Sequence, residues 1–192
     1  MDADPVEIRV LGCLIEKQRT TPDVYPLSLN SLRLACNQST SRSPVVHYSE
    51  AEIRTALERL SRRGWVRLAS GPGSRAAKYR HLFDDALSLE DAEISVLAVL
   101  MLRGPQTAAE LAQRTERLHA SGPGEVEETL ARLSERELVA LVPRRAGERG
   151  ERYIHLLGEE QEAEAEASPA ELSLEERVAR LEEEVTRLRD RL

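Results

Sequence analysis

The chain has 192 residues, 41% of them apolar, with a formal net charge of −7, enough to bury one ordinary core or two small ones. Its two cysteines, Cys13 and Cys36, exclude a disulfide framework and a four-thiolate zinc site. No apolar run approaches the roughly 20 residues that cross a bilayer. The acidic start, Met1-Asp2-Ala3-Asp4, lacks the basic and apolar regions of a signal peptide, so the expected address is the cytoplasm.

In chain order, Val6, Val10, Leu11 and Leu14 have helical spacing and predict a first helix to about Arg19. A second helix follows Ser28, a good N-cap, through Leu29, Leu32 and Ala35. Ser49 and Glu52 form an S-x-x-E capping box for a third helix that buries Ile53, Leu57 and Leu60 and stops at Gly64. Trp65–Leu68 alternates as a strand, Gly71-Pro72-Gly73 turns the chain, and Lys78–Phe83 returns. The same order then recurs. Helices are predicted over Leu89–Leu102, Thr107–Arg114 and Glu125–Glu137, a strand over Leu138–Val142, a turn at Gly147–Gly150, and a strand over Arg152–Leu157.

The recurrence is a sequence repeat. At an offset of 73, Ile53–Leu68 and Val126–Leu141 share 7 of 16 residues, including Leu57/Leu130, Arg59/Arg132 and Arg63/Arg136. At an offset of 74, Tyr79, His81 and Leu82 match Tyr153, His155 and Leu156. At an offset of 86, Glu7, Ile8, Val10, Leu11 and Leu14 match Glu93, Ile94, Val96, Leu97 and Leu100. Three helices and a hairpin, twice, predict a mainly α fold with small β-hairpin wings: two tandem winged-helix units over 1–85 and 86–158. An acidic linker over 159–172 and a short coiled-coil helix over 173–192 complete the chain.

Leu27-Ser28-Leu29-Asn30, Ala35-Cys36-Asn37-Gln38, Arg42 and Pro44-Val45 resemble the bacterial YceH-like family of uncharacterised proteins. So do Lys78-Tyr79, Leu102–Thr107, Glu110-Leu111 and Tyr153–Leu156, and the likeness spans essentially the whole chain. The resemblance implies tandem winged helices and no established activity.

Charge is unevenly distributed: residues 1–85 carry +3, residues 86–158 carry −3 and residues 159–192 carry −7. A duplex DNA partner is therefore expected only at the first unit. In a helix-turn-helix the third helix enters the major groove. Opposite its apolar face stand Ala51, Thr55, Glu58 and Arg62, flanked by Arg54 and Arg59. Arg63, Arg67, Arg75, Lys78 and Arg80 would add phosphate contacts from the helix end and wing. The alternative is an arginine-rich solvated face. The second unit presents Glu128, Ala131 and Glu135 there, flanked by Glu127 and Arg132, a surface that repels phosphate. Its first helix, Ile94–Leu102, is apolar nearly all round, which predicts burial against the other unit or a second chain.

The first unit holds 13 more residues between its first and third helices, largely in Asn37–Tyr48. Asn37, Gln38 and Arg42 are either recognition groups there or parts of a self-satisfying turn. Cys13 and Cys36 read as buried small hydrophobes, and His81 and His155 as a repeated structural pair. No nucleophile elbow, phosphate-cradling loop or metal-ligand spacing appears, so no enzyme, cofactor or metal is expected.

Two functions compete. One is a DNA-binding, regulator-like homodimer whose first unit contacts DNA while the second unit and coil dimerise. The other is a non-catalytic adaptor that docks proteins on its winged helices. The Arg/Lys content of the third helix and wing favours DNA.

Leu174, Val178, Leu181, Val185, Leu188 and Leu192 form a heptad seam with Val at a and Leu at d, the choice that favours parallel dimers, although the seam can also fold back on its own chain. In a parallel pair Arg177 meets Glu182 and Glu184 meets Arg189. Replacing Leu181 and Leu188 with Asp would bury like charges without a cation. Ultracentrifugation should show the dimer weakened in the double variant. A wild-type monomer at tens of micromolar would contradict the coil.

Overall fold

The computed structural model describes residues 2–69, 76–122, 124–142 and 150–158. The first helix, α1 (Pro5–Thr20), opens with a reciprocal cap between Asp4 and Glu7. The Asp4 carboxylate accepts from the Glu7 amide and the Glu7 carboxylate from the Asp4 amide, each at 2.8 Å. Two of the helix's orphan amide donors are thereby satisfied. A two-residue strand, β1 (Leu27–Ser28), leads into α2 (Leu29–Cys36), where the Ser28 hydroxyl accepts from the Ser31 amide at 3.2 Å. The Ser49/Glu52 box caps α3 (Glu50–Arg62) as predicted. At its end the Trp65 amide donates to the Leu60 carbonyl and the Gly64 amide to that of Ser61. This Schellman closure turns at Gly64, whose φ is +76°.

Strands β2 (Val66–Leu68) and β3 (Lys78–His81) pair antiparallel, with Arg67 opposite Arg80. β1 adds to the free side of β3, Leu27 opposite Tyr79, making a three-stranded sheet instead of a bare hairpin. The predicted return strand stops at His81. Phe83 instead opens a short helix, α4 (Phe83–Leu87), and sets its ring edge-on to Trp65 with centroids 5.0 Å apart. Burying that aromatic pair requires the chain to leave the sheet at this point.

The second repeat follows as α5 (Asp91–Arg103), α6 (Ala108–Thr115), α7 (Glu125–Glu135) and the pair β4 (Val139–Val142) and β5 (Arg152–His155). Glu90 caps α5 with Glu93, so the helix starts two residues after the predicted Leu89. Where the first repeat has β1, the second has a lone bridge between Gln106 and Tyr153. The chain is mainly α with small antiparallel sheets. His81 and His155 are both pushed down to about 4, chiefly by burial, so both rings are neutral at pH 7. The turn at Gly71-Pro72-Gly73, and all of Gly147–Gly150 except its last residue, lie outside the described residues.

The two repeats form one compact unit, Met1–Glu159. Every residue of α5 from Ala92 to Leu102 is buried, and α5 packs against α1 of the first repeat. The all-round apolar helix is thus covered by the other repeat, the first of the two partners expected for it, and leaves no apolar flank for a second chain. Close approach depends on Gly12: a Cβ there would lie 3.0 Å from Leu102 Cγ and 3.1 Å from Met101 Cβ. The Ala3 amide also donates to the Leu157 carbonyl at 3.1 Å, joining the start of the first repeat to the end of the second. The heptad residues Leu174, Val178, Leu181, Val185, Leu188 and Leu192 lie outside the described residues.

The end of α7 repeats the α3 closure with one difference. The Leu138 amide donates to the Leu133 carbonyl and the Glu137 amide to that of Ser134, but the turning residue is Glu137 at φ +54°. A side chain in that conformation is strained. Glu137→Gly should raise the unfolding free energy by about 0.5–1 kcal/mol, and Gly64→Ala should lower it, read from urea midpoints. An unchanged or lower midpoint for Glu137→Gly would contradict the closure.

Candidate nucleic-acid interface

Four arginines stand on α3 and its C-terminal end, and two of them belong to the fold. Arg59 pairs with Asp4 at 2.5 Å. Arg63 places Nε 3.7 Å from Glu7 Oε1, donates to the Asp2 carbonyl at 2.6 Å, and lies over the Trp65 ring at 5.4 Å. The second repeat builds the same clamp. Arg132 lies 3.4 Å from Glu90 and 3.6 Å from Glu93, while Arg136 lies 3.4 Å from Glu93 and donates to the Leu87 and Ser88 carbonyls. Glu7 and Glu93, the inner residues of the two caps, are 1% and 3% exposed. A carboxylate so buried needs a cation, and the third helix of each repeat supplies it to the first. Arg59 and Arg63, expected as DNA contacts, are engaged by these pairs within the fold.

The remaining α3 candidates face outward. Arg54, Thr55, Glu58 and Arg62 are exposed. Thr55 donates to the Ala51 carbonyl at 3.0 Å, and Arg62 Nε approaches the Glu58 carbonyl at 3.4 Å. Among the described residues, neither Arg54 nor Arg62 pairs with a carboxylate. On the hairpin, Arg67 and Lys78 are exposed and Arg80 is half-buried. Arg75 lies outside the described residues. The second-repeat counterparts of Arg54, Thr55 and Arg62 are Glu127, Glu128 and Glu135, all exposed. The two copies keep the clamp arginines and invert the charge of the outward ones.

The polar segment between α2 and α3 is its own scaffold. Asn37 donates to the Tyr48 carbonyl and accepts from the Tyr48 amide, each at 2.8 Å, closing the loop at its neck. Arg42 is buried: it forks onto Glu16 at 2.6 and 3.1 Å and donates to Gln38 Oε1 at 2.9 Å and the Ala35 carbonyl at 3.1 Å. Ser43 docks the loop on the second repeat through the Leu102 carbonyl at 2.9 Å. Asn37, Gln38 and Arg42 therefore hold the loop, and the recognition reading of these three is set aside. Cys13 and Cys36 are buried beside it.

Two sets of groups were missed from sequence. Arg9, inside an apolar helical stripe, is buried and donates to the Cys36 and Pro44 carbonyls at 3.2 and 2.8 Å. A charged residue on the buried face of α1 was its only signal. Arg103, Arg114 and Arg117 share a cleft, which their spacing across α5, α6 and the following turn does not announce. Among the described residues, no helix is long and apolar enough to cross a membrane.

Duplicated helix–helix–helix–hairpin halves joined through their first helices define the class of protein. Residues 3–168 match the family described as "Protein of unknown function, DUF480", and the chain belongs to that family. A UPF0502 protein of Serratia proteamaculans is 45% identical over 196 residues, covering 97% of this chain and 92% of its own length. A UPF0502 protein of Geotalea uraniireducens is 46% identical over 200 residues, covering 98% and 91%. One of Pseudomonas syringae pv. tomato is 41% identical over 206 residues, covering 98% and 92%.

Removing one clamp arginine leaves a buried carboxylate short of its partner. Arg63→Gln and Arg136→Gln should each lower stability by about 1–3 kcal/mol. Arg62→Gln, on the exposed face, should stay within about 0.5 kcal/mol of wild type. Equal urea midpoints for Arg62→Gln and Arg63→Gln would contradict the division between clamp and surface.

Proposed function

We propose that this is a tandem winged-helix protein that binds duplex DNA through its first repeat. The observation that carries the reading is the pair Arg54 and Arg62: exposed, without a carboxylate partner among the described residues, and replaced by glutamates in the second copy. A positive charge that the duplicate scaffold does not need is a candidate for an external anion. In this reading α3 enters the major groove with Arg54, Thr55 and Arg62 toward the bases and Glu58 accepting from a cytosine amino group. Arg67 and Lys78 hold phosphates from the hairpin, with the half-buried Arg80 between them. The second repeat, with Glu127, Glu128 and Glu135 outward, stays off the duplex and braces the first through α5. Homodimerisation then falls to the C-terminal heptads alone, and the protein works without catalysis or cofactor.

The test is fluorescence anisotropy of a labelled mixed-sequence duplex across a salt series. Wild type should bind with a steep salt dependence. The Arg54→Glu/Arg62→Glu double variant should bind at least about tenfold more weakly, with the slope of log affinity on log salt flatter by about 2. Arg117→Glu, a charge reversal in the second repeat, should change little. No salt-dependent binding by wild type, or an equal loss in Arg117→Glu, would overturn the reading. That result would favour the adaptor, for which the exposed Leu34 and Val45 offer an apolar contact.

A further inference from the structure

A cleft of about 300 Å³ opens where α1, the loop after α2, α5 and α6 meet. Arg103, Arg114 and Arg117 line it together with the apolar Leu102 and Leu118, and Glu16 is its one carboxylate. That carboxylate is already occupied by the Arg42 fork at 2.6 and 3.1 Å. Arg114 lies 3.4 Å from Glu110, which also takes Arg152 at 3.0 Å. Among the described residues, the guanidinium groups of Arg103 and Arg117 have no hydrogen bond or ion pair. Burial pushes Arg103 below its ordinary value, and Arg114, Arg42 and Arg117 add repulsion that Glu16 only partly offsets. The cleft therefore gathers more cation than its own carboxylates neutralise, in a partly desolvated place.

We propose that this cleft binds a small organic anion, a phosphate or carboxylate carried on a short apolar body. Arg103 and Arg117 hold the oxyanion, and Leu102 and Leu118 receive the body. The guanidinium fork matches the oxygens of either group. A volume of about 300 Å³ suits a ligand of metabolite size rather than a polymer. The arginines come from α5 and the α6 end of the second repeat, while Thr20 and Ser41 of the lining come from the first, so the cleft spans both repeats. The site is separate from the α3 surface and does not rest on the DNA reading.

Calorimetric titration of the full chain with phenyl phosphate and with benzoate tests it, with benzyl alcohol as the neutral analogue and ionic strength held by sodium chloride. At least one of the two anions should bind saturably at millimolar concentration, and benzyl alcohol should not. Tighter phenyl phosphate assigns a phosphate ligand, and tighter benzoate a carboxylate. Arg103→Gln and Arg117→Gln should each weaken binding about tenfold, whereas Arg54→Gln should bind as wild type does. Arg117 is exposed, so its variant keeps the test open if Arg103→Gln fails to fold. No saturable binding of either anion, equal binding of benzyl alcohol, or undiminished binding by Arg117→Gln would overturn the proposal. Loss of DNA binding in the Arg54→Glu/Arg62→Glu variant leaves it untouched.

Discussion

The contact of α1 with α5 is the constraint on which the rest of the molecule rests. Each helix is the first of its repeat, and each would expose an apolar flank if its repeat stood alone. Gly12 lets the backbones close until Leu102 and Met101 pack where a side chain would otherwise be. Burying Leu97, Leu100 and Leu102 of α5 removes apolar surface at about 1.5–3 kcal/mol per side chain. The Asn37–Tyr48 loop and the Ala3–Leu157 bond follow from this closure, because both reach across from one repeat to the other. Arg42 makes the loop rigid by linking α1, the end of α2 and the loop itself.

Duplication separates structural charge from free charge within a single chain. A side chain kept in both copies performs a task that both scaffolds share. Arg59/Arg132 and Arg63/Arg136 do so, neutralising the capping carboxylates of the first helices. A side chain that differs between copies is released from that task. Arg54 and Arg62 against Glu127 and Glu135 are the clearest case, because both positions are exposed in both copies. The same comparison explains Glu137, which tolerates the conformation that glycine adopts at 64.

Much of the fold was legible because its signals are local. Helical spacing, the Ser28 and Ser49 caps, and the Gly64 stop each fix one element from residues a few positions apart. The nearly all-round apolar stretch Ile94–Leu102 of α5 correctly announced a second packing partner, though not that the partner is α1. The misses were tertiary. β1 is two residues long and exists only because β3 has a free edge, and Phe83 leaves the strand to meet Trp65. At the candidate site, helical projection placed Arg62 outward with Arg54 and Arg59 alike at its flanks, and could not reveal that Arg59 and Arg63 reach sideways to Asp4 and Glu7. Their identity in both repeats was the available clue. The polarity of Asn37, Gln38 and Arg42 fitted a recognition loop or a self-satisfying turn alike, because buried hydrogen-bonding networks and binding surfaces draw on the same residues.

The most direct test of a molecule built as one unit is native-state hydrogen exchange on the full chain. With the repeats fused through α1 and α5, the slowest amides of Val10–Leu14 and of Val96–Leu100 should open only with global unfolding. Their opening free energies should then be equal, with the same denaturant dependence. If the Val96–Leu100 amides, or those of Val10–Leu14, opened at a distinctly lower free energy, the repeats would be independent domains and the α1–α5 contact would not be the foundation of the structure.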